Sequence, residues 1–236
     1  MVEYNNTFMD NILEVENLTV KLDKEIILDD LSFNIKEGDV LAILGPNGAG
    51  KTVLLRSLLG MLPFSGRIKW GSGIKKSYVP QRLPFIKDVP MSVEEFFKLK
   101  KVSDSAIKGS LSSVGLKEEI LIKKVGDLSS GQFQRVLIGW SLISNPQVLL
   151  FDEPTTGIDI GGQESVYSLL EKLSKERNLT ILLVTHDLDI VYKLATKCLC
   201  LNKKIFCYGN PKDLDADQLS QLYEGEIKIF KHTHHD

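Results

Sequence analysis

The chain has no apolar run of 18 or more residues and no leader pattern of basic, apolar and small-residue segments. Neither a membrane span nor a secretory signal is expected, and the chain reads as soluble by itself. Cysteine is scarce. Only Cys198, Cys200 and Cys207 occur, which is no disulfide framework and suits a reducing compartment. Cys198 and Cys200 alternate along an expected strand, where buried small apolar residues are the better reading than a metal pair. There is no basic block and the net charge is -2, so nothing favours nucleic acid as a main partner. Repeats and low-complexity tracts are missing ahead of the histidine-rich end. What remains is ordinary globular composition, 43% hydrophobic and 25% charged over 236 residues. That is enough for one domain with a good core and a smaller lobe.

Within this background stands Gly45-Pro46-Asn47-Gly48-Ala49-Gly50-Lys51-Thr52, a phosphate-binding loop. The apolar run 40–44 precedes it and the helical run 53–59 follows. That strand-loop-helix context is what the motif requires. Three glycines let the backbone curl until its N–H groups point inward at phosphate oxygens. The helix opening at Lys51 adds the positive end of its dipole. Lys51 offers a point charge to the β- and γ-phosphates, and the Thr52 hydroxyl a ligand for Mg²⁺. A glycine turn with an incidental lysine is the weaker reading.

Along the chain, 12–20 and 25–35 read as strands joined by a polar turn at Asp23-Lys24. Further short strands follow at 66–70 and 76–80. From Ser92 the apolar positions adopt helical spacing, first Val93, Phe96, Phe97 and Leu99, then Ile107, Leu111 and Val114. Ser92 with Glu95 has the form of a capping box. This helical block runs to about Leu142, and it separates the loop from the apolar runs 148–151 and 180–184. Those runs, with an amphipathic stretch at 163–177 between them, read as parallel strands buried on both faces. A hairpin over Asn202-Lys203 closes the pattern. The expected fold class is α/β: a P-loop core of mostly parallel sheet, an antiparallel β subdomain, and an inserted α-helical subdomain at 85–142. Residues 1–236 form a single domain in this reading, with 226–236 as a tail.

Asp152 and Glu153 follow an apolar strand at its carboxyl end, where α/β sheets place their chemistry. Asp152 suits the Mg²⁺ partner of Thr52, and Glu153 could polarise an attacking water. His186 ends the strand expected to run parallel beside it, which brings the imidazole to the same sheet edge. Gln81 lies just past 76–80, where its amide could approach the metal. Ser129-Ser130-Gly131-Gln132 opens a helix whose N-terminus can bind an anion as well as be capped. Lying on the insertion, it could close on a nucleotide held by another copy.

The order of GPNGAGKT, Gln81, LSSGQ, VLLFDEP, Gly157-Ile158-Asp159 and His186 resembles the ATP-binding subunit of ABC transporters, over nearly the whole chain. The resemblance implies an ATP-hydrolysing subunit in which two copies sandwich two ATP molecules head to tail. It implies that Gly45 to Thr52 hold the phosphates, that Gln81 senses metal and transporter, and that Asp152 binds Mg²⁺. Glu153 is implied as the base or water-orienting group, and His186 as a γ-phosphate contact. Ser129 and Gly131 would reach the phosphate from the opposite subunit, with Ser130 and Gln132 beside them. Asp159 would belong to the loop communicating between the two sites. Implied partners are an integral membrane permease, contacted near 84–97, and indirectly an extracellular substrate-binding protein. The implied location is the inner face of the cell membrane.

Tyr78-Val79-Pro80-Gln81-Arg82, Pro90-Met91-Ser92-Val93 and the ending Tyr223-Glu224-Gly225 through His232, His234 and His235 resemble zinc or manganese uptake systems. The tail histidines could bind such an ion or be without function. Three departures stand out. Ser130 replaces the usual first glycine of the signature. The adenine-stacking aromatic falls at about Leu22, with Tyr4 or Phe8 as substitutes and GTP conceivable. Gly139-Trp140-Ser141-Leu142 replaces a more usual alanine-arginine-alanine-leucine. A soluble ATPase of iron–sulfur assembly and an importer of another substrate stay open as alternatives. A nucleic-acid-linked relative is disfavoured, because two nucleotide domains or a coiled coil are expected there.

Overall fold

A computed structural model describes residues 11–81, 90–155, 157–214 and 216–223. The readings placed on Tyr4, Phe8, Arg82, Pro84-Phe85 and the tail histidines lie outside these. Two sheets form. The smaller is antiparallel, in the order β2-β1-β4, from β1 (Asn11–Leu22), β2 (Glu25–Lys36) and β4 (Ser65–Trp70). β1 and β2 join over Asp23-Lys24, both at positive φ, as a two-residue hairpin turn requires.

The larger sheet has the order β5-β6-β7-β3-β8-β9. Its parallel members are β5 (Lys76–Val79), β6 (Val148–Asp152), β7 (Thr180–Val184), β3 (Val40–Leu44) and β8 (Lys197–Asn202), with β9 (Lys204–Gly209) antiparallel at one edge. Every residue of β3, β6 and β7 is buried. Alternate side chains therefore feed two cores. Leu149, Phe151, Ile181 and Leu183 pack with the helices on one face, while Leu150, Leu182, Val184, Leu41 and Ile43 pack with β1, β2 and α1 (Lys51–Leu58) on the other. Burying a Leu or Phe contributes about 1.5–3 kcal/mol, so these runs have no solvent-facing register to slip into.

Between β5 and β6 the described chain is helical: α2 (Val93–Lys98), α3 (Asp104–Ser113) and α4 (Ser130–Leu142). The capping box read at Ser92 and Glu95 forms as expected. The departure at 139–142 has a packing reason. A Cβ on Gly139 would lie 3.1 Å from Ser110 Oγ and 3.4 Å from Phe97, so glycine lets α3 and α4 approach. Trp140 stacks on Phe96 at 5.3 Å between centroids and donates to the Phe96 carbonyl at 3.2 Å. Met91 packs partly buried against the same core and is not a free apolar contact.

Three helices complete the fold: α5 (Ile160–Arg177), α6 (Leu188–Leu194) and α7 (Ala216–Tyr223). Among the described residues no helix is long and apolar enough to cross a membrane. The cysteine reading needs one correction. Cys198 is free and buried as expected, but Cys200 and Cys207 form a disulfide across the β8–β9 hairpin. A register shift between Cys200 and Leu201 is the cause. It pairs Leu201 with Ile205 but Cys200 with Cys207, an alignment that a regular hairpin over Asn202-Lys203 would not give.

Candidate nucleotide site

The loop between β3 and α1 is shaped by its glycines. Gly50 caps α1 at φ 96°, and a Cβ there would meet Leu28 at 2.6 Å. At Gly45 a Cβ would fall 2.1 Å from the Leu201 carbonyl, so the loop rests directly on β8. The Lys203 N–H, just past β8, donates to the Ala49 carbonyl at 3.1 Å and braces the loop from behind. Lys51 Nζ donates to the carbonyls of Gly45 at 2.8 Å and Pro46 at 3.0 Å. Burial pulls the Lys51 ammonium below its ordinary pKa, while the Glu153 and Asp152 charges pull it back. Arriving phosphate charge would favour the ammonium further.

Asp152 ends β6 almost fully buried, and Thr52 Oγ1 donates to its Oδ2 at 2.8 Å. Tyr78 Oη, from β5, donates to the same oxygen at 3.1 Å. Burial, then the Asp152 charge, pushes the Tyr78 phenol up to about 12, with the Arg56 guanidinium opposing. Next along the chain, Glu153 holds φ 46°, in the left-handed region that costs a non-glycine residue about 1–3 kcal/mol. Its N–H donates to the Val184 carbonyl at 3.1 Å. Gln81 Nε2 donates to Glu153 Oε2 at 2.6 Å, and Lys51 Nζ lies 3.9 Å from Oε1.

A cleft of about 280 Å³ collects Asn47, Gly48, Ala49, Gly50, Lys51, Thr52, Gln81 and Glu153. Parallel pairing of Asp152 with Val184 puts His186, two residues on, at the same sheet edge, as its strand order requires. His186 is exposed and does not line this cleft. Neither does the turn at Ser129 to Gln132. There Ser129 and Gln132 form a full capping box on α4, with Ser129 and Ser130 exposed. Asp159 is exposed at the N-terminus of α5 and makes no side-chain cap bond. The chain alone thus assembles one half of the expected set and leaves the rest outside the cleft. Leu22 packs partly buried against the β1–β2 core, and it is Ile27 that lines the cleft.

The reading from sequence missed Tyr78, Ile27 and a buried hydroxyl network behind the acids. Tyr167 of α5 lies 2.9 Å from Thr155 Oγ1 and 3.3 Å from Thr185 Oγ1. It therefore ties the segment after Glu153 to the strand end before His186. Only an amphipathic pattern marks Tyr167 in the sequence, and that reads as packing.

The donors fit Mg²⁺. A hydroxyl and a carboxylate, both hard oxygens, meet at the mouth of the loop, and Mg²⁺ takes one or two protein oxygens plus substrate phosphates. Among the described residues no cluster of three or more histidine, cysteine or acid side chains could cage a metal without them.

A phosphate loop on a parallel sheet, an acid pair at the neighbouring strand end and a helical block between them define a P-loop nucleotide-binding ATPase domain. Residues 28–156 match the ABC transporter family. Zinc import ATP-binding protein ZnuC of Wigglesworthia glossinidia brevipalpis is 36% identical over 96% of this chain and 100% of its own length. A probable metal transport system ATP-binding protein of Thermotoga maritima is 35% identical over 90% of each. Among solved structures, cbiO1 of Clostridium perfringens, part of the ABC transporter complex cbiONQ, superposes with a TM-score of 0.76 at 31% identity, covering 86% of this chain and 90% of that one. The chain belongs to the ABC transporter family, as an ATP-binding subunit.

Proposed function

We propose that this chain hydrolyses ATP as a head-to-tail pair of identical subunits and drives uptake of a divalent metal ion, zinc or manganese, through a separate permease. The observation that carries the reading is the convergence of Lys51, Thr52, Gln81 and Glu153 on one cleft, with Asp152 bonded to Thr52 behind it and the capped turn at Ser129 exposed and outside it. Phosphoryl transfer needs positioning and charge stabilisation more than covalent chemistry.

In this reading Lys51 leaves its carbonyl partners for the β- and γ-phosphates, and Gly45 to Thr52 wrap them with backbone N–H groups. Thr52 and Asp152 hold Mg²⁺, with Gln81 beside it. The ion, when bound, neutralises charge on the triphosphate oxygens. Glu153 orients the attacking water and accepts its proton, a role worth about 10²–10⁴-fold in rate. His186 contacts the γ-phosphate from the same sheet edge. The partner subunit's Ser129 and Gly131 close the site, and Asp159 lies on the loop between the two sites. Residues 85–142 serve as the signature subdomain, and its surface near 84–97 as the permease contact. The cargo assignment rests on the names of the relatives, two of which are a zinc importer and a metal transport system. With its permease, the subunit would work on the inner face of the membrane, supplied from outside by a substrate-binding protein.

The test is uptake of radioactive zinc by vesicles carrying the permease with this subunit. Uptake should require internal Mg-ATP and vanish with Lys51→Ala. ATP-independent uptake, or an ATPase that copurifies instead with a soluble iron–sulfur scaffold, would redirect the assignment.

A further inference from the structure

We propose that Tyr78 is a positioning residue for Asp152, holding one carboxylate oxygen so that the other is turned toward the Mg²⁺. The inference rests on the nucleotide site proposed above. Two hydroxyls, from Thr52 and Tyr78, donate to Asp152, and both choose Oδ2. Neither takes Oδ1. Asp152 is 3% exposed, so water has little access to share those bonds. Turning the carboxylate would break two hydrogen bonds at once, each costly to leave unmade in a buried setting. Carboxylates that serve metal ions are commonly oriented by such outer partners.

The placement of Tyr78 gives this bond a second consequence. Among the described residues β5 is the edge strand of the large sheet and pairs with β6, Tyr78 opposite Leu150. The Tyr78 ring packs partly buried against the core shared with β1 and β2, and Gln81 follows three residues later with its amide on Glu153. One short strand end therefore touches both acids, Asp152 through a phenol and Glu153 through an amide. A displacement of that strand end would disturb the metal carboxylate and the water-orienting carboxylate together. In sequence, by contrast, Tyr78 reads as an ordinary strand aromatic.

Tyr78→Phe removes one hydroxyl and keeps the ring, so the packing is preserved. Three quantities are read: Mn²⁺ affinity by electron paramagnetic resonance with a non-hydrolysable ATP analogue, affinity for the same analogue in EDTA, and thermal midpoint. Mn²⁺ should bind about tenfold more weakly, with the EDTA affinity and the midpoint unchanged, and the Mn²⁺ concentration for half-maximal hydrolysis should rise in parallel. Unchanged Mn²⁺ affinity would overturn the inference. So would an equal loss of metal-free binding and stability, which marks a packing role alone. Should the unmodified protein bind no Mn²⁺ with the analogue, the nucleotide site itself fails, a result distinct from either.

Discussion

Glu153 is constrained in backbone and side chain alike. Its backbone sits at φ 46°, held by the N–H bond to Val184, while its carboxylate spans Lys51 and Gln81. Strained backbone of this kind persists where the surroundings over-determine it. Here the surroundings are the parallel neighbour β7 and the phosphate loop. Glu153→Gln keeps the shape and a hydrogen-bonding oxygen but removes the base. Steady-state hydrolysis should fall about 10²–10⁴-fold, while a fluorescent ATP analogue binds with unchanged affinity; hydrolysis at the normal rate would remove Glu153 from its role. Lys51→Ala acts on the other half of the cleft. It deletes the buried ammonium and should weaken ATP binding by about tenfold or more, as losing a charge-assisted contact does. Equilibrium dialysis showing full affinity would contradict the loop's assignment.

Elements carry the next level of the account, and α4 offers a clean separation of fold from function. A Cβ added at Gly131 meets nothing within 4 Å, and alanine in a helix is favoured over glycine by roughly 0.5–1 kcal/mol. Gly131→Ala should therefore leave the thermal midpoint of the isolated subunit unchanged or slightly higher. Hydrolysis should nevertheless drop about tenfold or more, the consequence of losing at least 1.4 kcal/mol of contact in the transition state. Full activity would mean that nothing approaches the turn closely. The β8–β9 hairpin makes a prediction of its own. Burial pushes the Cys198 thiol up to about 11, which leaves about one thiolate in a thousand at pH 8. Iodoacetamide should not label the native protein at that pH. After denaturation without reductant it should label one cysteine per chain, and after reduction three. Three without reductant would exclude the disulfide. This hairpin also shows where the sequence stopped being legible. The period of the apolar runs and the glycine loop made β3, β6, β7 and α1 readable, because both faces of those strands are buried and the loop has few alternatives. The register shift beside Cys200 has no such signature, since it lies in the pairing of β8 with β9 and not in the period of either strand. The buried residues of α6, Ile190 and Val191, are adjacent, so they display no helical spacing. Tyr78 and Tyr167 act through single hydroxyls that reach across the fold, and no local spacing announces those contacts.

For the whole molecule, the distribution of the site is the central fact. One chain folds the loop, Glu153 and Gln81 into a single cleft with Asp152 buried behind Thr52, and it leaves Ser129, Ser130, Asp159 and His186 exposed outside it. A monomer so built would grip phosphates without enclosing them, and an unenclosed γ-phosphate is poorly activated because water screens the charges that would stabilise its transfer. In the proposed assembly a second copy, rotated so that each turn faces the other's loop, would complete two sites at once, in the closed two-fold arrangement most common among homodimers. Under that proposal hydrolysis would be conditional on assembly, as coupling to a permease requires. Light scattering on Glu153→Gln protein tests this most directly. With saturating Mg-ATP the account predicts a mass twice that of the chain, returning to the monomer mass when EDTA removes the Mg²⁺ or Lys51→Ala weakens nucleotide binding. A mass that stays at one chain under those conditions, with ATP demonstrably bound and the permease present, would contradict it.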